Sequence, residues 1–291
     1  MMKTVAVPEN LTYLGVFLTF HCGYKCSYCI TRHGVLRYQS ELPTVAWIEG
    51  LNRLEISRDK MVPITLQGGE PSVHGGLIEI VRNLRNAFYI DVLTNLDFDV
   101  DRLMDAAPPE RFQRDVPYAS IRVSYHPGQS DVKELLAKVF RLQSFGYSVG
   151  VFAVDHPESD LSRVRELCKQ LKIDFRTKEF LGWYKGRFYG TYRYPESVDG
   201  EQRRTVNCRT TELLIAPNGD LHRCHRDLYA GENPIGNILD DDLDIEFRFR
   251  ECDRYGDCNP CDQKVKNDRF QEFGTCSVEI QGEEERESVK V

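Results

Sequence analysis

Residues 13–29, YLGVFLTFHCGYKCSYC, decide the fold. Eight apolar or β-favouring residues, Tyr13 to Phe20, run without a charge and stop at Cys22, Cys26 and Cys29 in CxxxCxxC spacing. An uninterrupted apolar run of this length, bounded by a turn, reads as a parallel strand buried on both faces. Three thiolates in one loop can hold three irons of a cubane and leave the fourth iron without a protein ligand. A structural zinc ion would close with four ligands, and His21 or His33 would have to supply the fourth.

The same alternation continues downstream. VPITLQ, YIDVLTN, YASIRVSY, SVGVFAV and IDFRTKEFL read as five further strands, with helices expected to start near Val45, Gly76, Asp99, Asp131 and Ser159. Repeated βα units of this kind build a parallel sheet and place the class as α/β. Asp131 with Glu134 forms a candidate capping box, and Leu135, Leu136, Val139, Phe140 and Leu142 recur at helical spacing behind it. Cys168 shares the apolar stripe of the next helix with Leu161, Val164 and Leu171 and is read as core.

After the second strand stands GGEP, Gly68 to Pro71. Taken with CxxxCxxC one strand earlier and Tyr28 just before the last cysteine, it makes the chain resemble the radical SAM superfamily. The resemblance implies a partial (β/α)6 barrel, a 4Fe-4S cluster on Cys22, Cys26 and Cys29, and S-adenosylmethionine on the open iron. It implies cofactor contacts from Tyr28, from Gly68, Gly69 and Glu70, and from Ser124, with Asn95 a weaker match. A flavodoxin- or ferredoxin-type electron donor follows from the same likeness. Ligands in parallel α/β folds gather at the C-terminal strand ends, which here carry Thr94, Asn95, Ser124, Tyr125 and His126.

Ten cysteines need a use in a chain expected to be cytoplasmic, where disulfides are rare. TELLIAPNGDLHRC reads as a hairpin turning at Asn218-Gly219, and it delivers Cys224. Cys208, then Gly219 to Cys224 as GxxxxC, then Cys258-x-x-Cys261 resemble the twitch module, a shortened SPASM domain. That implies an auxiliary 4Fe-4S cluster on Cys208, Cys224, Cys258 and Cys261; an all-cysteine zinc ribbon is the alternative. Cys252 and Cys276 fall outside this pattern. Either can be a free thiol, replace one of the four, or join a second auxiliary cluster.

Positions next to the hairpin nominate His225 and Asp227 as bases for oxidising a substrate radical, and Cys276 or Cys252 as a thiol that quenches it with inversion. The organisation expected is a barrel over 1–182, a connecting segment over 183–207, a small cysteine-rich β-hairpin module over 208–277, and a disordered tail over 278–291.

The net charge of −7 gives no footprint for nucleic acid, and no apolar run approaches the ~20 residues of a membrane span. The function expected is radical oxidation or epimerisation of a small sugar-, cyclitol- or amino-acid-like molecule. A peptide substrate is the runner-up, lowered by the short stretch before Cys22. From another class, the alternative is a non-catalytic zinc-binding interaction protein.

Overall fold

The computed structural model describes residues 3–30, 40–200, 202–266 and 275–282, and the backbone of 289–290. His33 lies outside them. The six expected strands are present: β1 (Tyr13–Thr19), β2 (Ile64–Gly68), β3 (Ile90–Thr94), β4 (Ile121–Tyr125), β5 (Val149–Asp155) and β6 (Asp174–Glu179). They lie parallel and side by side in sequence order. Five helices connect them: α1 (Thr44–Asn52), α2 (Leu77–Asn83), α3 (Val100–Ala106), α4 (Val132–Ser144) and α5 (Ser162–Gln170). The class is α/β, a parallel sheet of partial (β/α)6-barrel type.

The apolar run of β1 has a use for both faces. Leu14, Val16 and Leu18 belong to the main core, while Tyr13 and Phe17 pack with Leu214, Leu228 and Tyr229 in a second cluster. Burial on both sides is why the strand shows no polar alternation.

Asp131 caps α4, its carboxylate accepting from the amides of Lys133 (2.8 Å) and Glu134 (3.0 Å). Glu134 pairs with Lys138 at 3.3 Å, so the cap is one-sided. Leu135, Leu136, Val139 and Leu142 are buried, whereas Phe140 is 51% exposed. At ~100° per residue Phe140 falls beyond the edge of the buried stripe. Cys168 is fully buried in the main core, as its position in the stripe indicates.

The chain then returns to its beginning. After β7 (Arg204–Thr210), the hairpin β8 (Glu212–Ile215) and β9 (Leu221–His222) turns at Gly219, whose φ of +90° suits glycine. β8 lies parallel to β1 with Leu213 opposite Leu14, so this hairpin extends the barrel sheet at its β1 edge. Helix α6 (His225–Ala230) follows, then β10 (Arg250–Tyr255), the short α7 (Pro260–Gln263) and β11 (Val278–Ile280). β10, β7 and β11 form a separate three-stranded antiparallel sheet. Residues 278–280, expected to be disordered tail, are therefore strand, held by Val278 and Ile280 packing on Tyr194 and Tyr255. Within the connecting segment, Gly182–Tyr184 and Arg187–Tyr189 pair as a hairpin.

Candidate active site and its thiol clusters

Cys22, Cys26 and Cys29 follow β1 at the C-terminal rim of the sheet. Their loop is seated by main-chain bonds to the GGEP turn: Gly69 N donates to Thr19 O and Glu70 N to His21 O, both at 2.8 Å. A β-carbon on Gly69 would stand 2.4 Å from the carbonyl oxygens of Phe20 and His21, and one on Gly68 would stand 2.0 Å from Thr19 O. The glycines are needed because one backbone crosses the other immediately before Cys22.

Glu70 is 2% exposed and fully engaged. Its carboxylate accepts from Thr94 Oγ1 and Asn95 N, both at 2.7 Å, and from Ser72 N at 3.1 Å. Burial nonetheless holds its carboxyl above the ordinary value. Asn95 Oδ1 accepts from Asp97 N at 2.9 Å, so the side chain shapes the turn after β3. Ser124 is half-buried at the end of β4, and its hydroxyl makes no hydrogen bond to a described residue.

The cysteine loop is latched to the segment after β4. Lys25 N donates to Gln129 Oε1 at 3.2 Å, Ser130 Oγ donates to Tyr24 OH at 3.4 Å, and Tyr28 OH meets His126 Nδ1 at 3.1 Å. The Tyr28 ring also lies 5.2 Å from His156, which contacts Phe180 and Tyr184. Burial, then the neighbouring cysteines, push the Tyr28 phenol up to about 12. This aromatic layer at the rim was not legible as a unit, because its members come from four separate strand ends and loops.

Burial first, and then Cys29 and Cys22, push the Cys26 thiol up to about 11. Cys22 is raised as well, by burial and by Glu70 and Cys29. Thiols surrounded by thiols and carboxylates need a cationic group among them before they can ionise together, and an iron-sulfur core is such a group. The donor set fits it.

The second set of thiols surrounds a cavity. Cys208, Cys224 and Cys258 line it, and so does Cys252. Cys261 does not line it; its thiol acts on the phenols of Tyr192 and Tyr229, which burial already raises. Cys276 is also outside the cavity, with Sγ 2.9 Å from Val278 O. Gln263 lines the cavity at 1% exposure, its side chain set against Cys258. A buried amide beside a ligand thiol can donate to the sulfurs of a group bound there.

His225 is held in a buried ionic cluster. Its Nδ1 lies 2.8 Å from Asp262 and 3.2 Å from Glu212, and Glu212 in turn pairs with Lys266. Burial alone would lower its pKa, but Asp262 and then Glu212 reverse this and bring it to about 10. At neutral pH the imidazole is a cation with its proton held between carboxylates, a geometry that does not accept a second proton. Two cations balance two anions here, so the grouping of Glu212, His225 and Asp262 needs no metal ion. Asp227 lines the cysteine cavity and pairs with Arg226 at 2.9 Å.

No protein-family model matches the chain. Among curated proteins, GTP 3',8-cyclase of Agrobacterium fabrum (strain C58 / ATCC 33970) is 34% identical over 74 residues, covering 25% of this chain and 21% of that protein. Molybdenum cofactor biosynthesis protein 1 of Drosophila melanogaster is 36% identical over 237 residues, covering 74% of this chain and 39% of that one. GTP 3',8-cyclase of Alkaliphilus metalliredigens (strain QYMF) is 22% identical over 209 residues, covering 66% and 65%. The chain belongs to the radical SAM superfamily. This radical SAM chain spans less than two thirds of the length of each of those relatives. Among solved structures, BtrN in complex with AdoMet and 2-DOIA superposes with a TM-score of 0.45 at 15% identity, over 82% of this chain and 80% of that one, a likeness too loose to build on. Among the described residues, no helix is long and apolar enough to cross a membrane.

Proposed function

We propose that this radical SAM protein is an enzyme that oxidises or epimerises a small molecule after hydrogen abstraction. The observation that carries the reading is the join between residues 19–21 and Gly69-Glu70, which fixes three thiols beside the GGEP turn at the strand ends. Cys22, Cys26 and Cys29 would hold three irons of a 4Fe-4S cluster, and Cys208, Cys224, Cys258 and a fourth thiol would hold an auxiliary cluster. When bound, the first cluster and S-adenosylmethionine supply a 5′-deoxyadenosyl radical that removes a hydrogen atom from the substrate.

The chain's own work is placement. Glu70 ties the GGEP turn to the end of β3 and leaves main-chain carbonyls to accept from the cofactor's amino group. The Ser124 hydroxyl and the Tyr28 ring stand ready at the same rim for its ribose and adenine portions. The half-buried rim limits water around the reacting carbon. The base for an oxidation is not assigned to His225, whose ionic cluster already holds its proton. Two of the curated relatives are named for GTP, so a purine nucleotide belongs among the small molecules to be tried.

Anaerobic reconstitution is expected to give about eight irons per chain, four in each cluster. Reductant from a flavodoxin or ferredoxin should then release 5′-deoxyadenosine. A fully loaded protein that releases none, with every reductant tried, defeats the proposal. With a turned-over substrate, deuterium gained from solvent at carbon marks epimerisation, and a product two electrons more oxidised marks dehydrogenation.

A further inference from the structure

Six cysteines follow residue 200, and a four-thiolate cluster uses four of them. We propose that Cys252, not Cys261, closes the auxiliary set with Cys208, Cys224 and Cys258, and that the Gln263 carboxamide donates to its sulfur. The assignment rests on the auxiliary-cluster reading given above.

The pairing of β7 with β10 places the first two thiols together. Val206 stands opposite Cys252 and Cys208 opposite Arg250, so Cys252 is the diagonal neighbour of Cys208 across the ladder. Side chains two apart on a strand share a face, and diagonal neighbours stand ~7–8 Å apart at Cα, within reach of each other. Cys208 and Cys252 both line the cavity from this sheet. Cys224 comes from the opposite wall, at the N-cap of α6. Cys258 enters from a turn whose amide is anchored to Ser197 O at 2.9 Å.

Cys261 is turned away by local structure. Asn259 caps α7, its side chain accepting from Cys261 N at 2.9 Å. Once the chain is wound there, Asp262 and Gln263 reach the cavity and Cys261 is not among the residues that line it. Of the two cysteines of CxxC, only Cys258 lines the cavity.

The spacing also favours a cluster over one ion. Thiolates around a tetrahedral zinc with bonds of ~2.3 Å stand only about 3.8 Å apart. Among the described residues, the only three potential ligand atoms within 4.8 Å of one another belong to Glu212, His225 and Asp262, so no three of the four thiols converge that far. Arg223, on the cavity wall, would offset the negative charge of a four-thiolate cluster.

The test isolates the auxiliary site by changing Cys22, Cys26 and Cys29 to alanine, followed by anaerobic reconstitution and measurement of iron, sulfide and electron paramagnetic resonance. The triple variant should keep about four irons. Adding Cys261→Ala should leave that count and the spectrum unchanged; adding Cys252→Ala should remove at least one iron. Cys252→Ser, whose oxygen can still ligate, should keep iron with a shifted spectrum, which separates lost ligation from lost folding. Gln263→Ala should make the reduction potential more negative at constant iron. Iron lost with Cys261→Ala and kept with Cys252→Ala overturns the assignment alone. A folded triple variant without iron or sulfide overturns the auxiliary cluster itself, and the assignment with it.

Discussion

Thr94 Oγ1 donates a 2.7 Å hydrogen bond to the Glu70 carboxylate, tying the end of β3 to the turn that seats the cysteine loop. Both side chains are buried, so Thr94→Val leaves one carboxylate oxygen short of a donor. The expected loss is about 1–3 kcal/mol of unfolding free energy, read from urea melts. An unchanged midpoint would show that Ser72 N and Asn95 N suffice.

Glu70 should also leave a mark on the pH dependence of stability. Burial raises its pKa in the folded protein above the ordinary 4.5, against the three donors that lower it. The folded chain then binds the proton more tightly than the unfolded one, so its contribution is greatest below 4.5 and declines as pH rises through the elevated folded value. Urea melts from acid to neutral pH should show the wild type losing stability relative to Glu70→Gln. A difference that stays constant with pH would refute this.

His225 has the same sign in a higher pH window. Its pKa goes from 6.5 to about 10, because Asp262 and Glu212 outweigh burial. The stabilisation is complete below 6.5 and is lost as pH rises through about 10. His225→Gln should be less stable than wild type at pH 6 by roughly 3–5 kcal/mol, since it leaves buried carboxylates unpaired, and the gap should narrow towards pH 10. An imidazole proton resonance that titrates near neutrality in the wild type would contradict the assigned charge.

Gly69→Ala tests the crossing of two backbones. The added carbon would lie 2.4 Å from two carbonyl oxygens, so the segment before Cys22 must shift. Iron analysis after reconstitution should show about four irons instead of about eight, with the auxiliary site still filled. Full loading and full release of 5′-deoxyadenosine by Gly69→Ala would mean that the join is not needed.

The barrel was legible because its strands are continuous apolar runs set apart by amphipathic helices, a pattern that depends on near neighbours alone. The turn at Asn218-Gly219 was legible for the same reason. What lay beyond the sequence was determined by strand register and by packing across the chain. Spacing could not choose between Cys252 and Cys261, because the choice depends on which residue of β10 faces Val206 and on how Asn259 winds α7. The sequence places His225 beside Cys224 as a candidate base, but Glu212 and Asp262, remote in sequence, both approach its ring nitrogen. Val278 and Ile280 looked like tail because two alternating apolar residues are too few to signal a strand without their partner β7.

The pairing of β8 with β1 has a consequence for how the molecule is made. Thr12 N bonds to Thr211 O at 2.8 Å, a contact between residues 199 positions apart. During synthesis β1 can find β2 early, but its other edge stays open until the strand that covers it leaves the ribosome. Contacts this distant in sequence slow folding, and an uncovered apolar edge invites pairing with other chains. The growing chain is thus most prone to aggregate in the interval before residue 215, with the first cysteine loop already formed at the end of an unprotected strand.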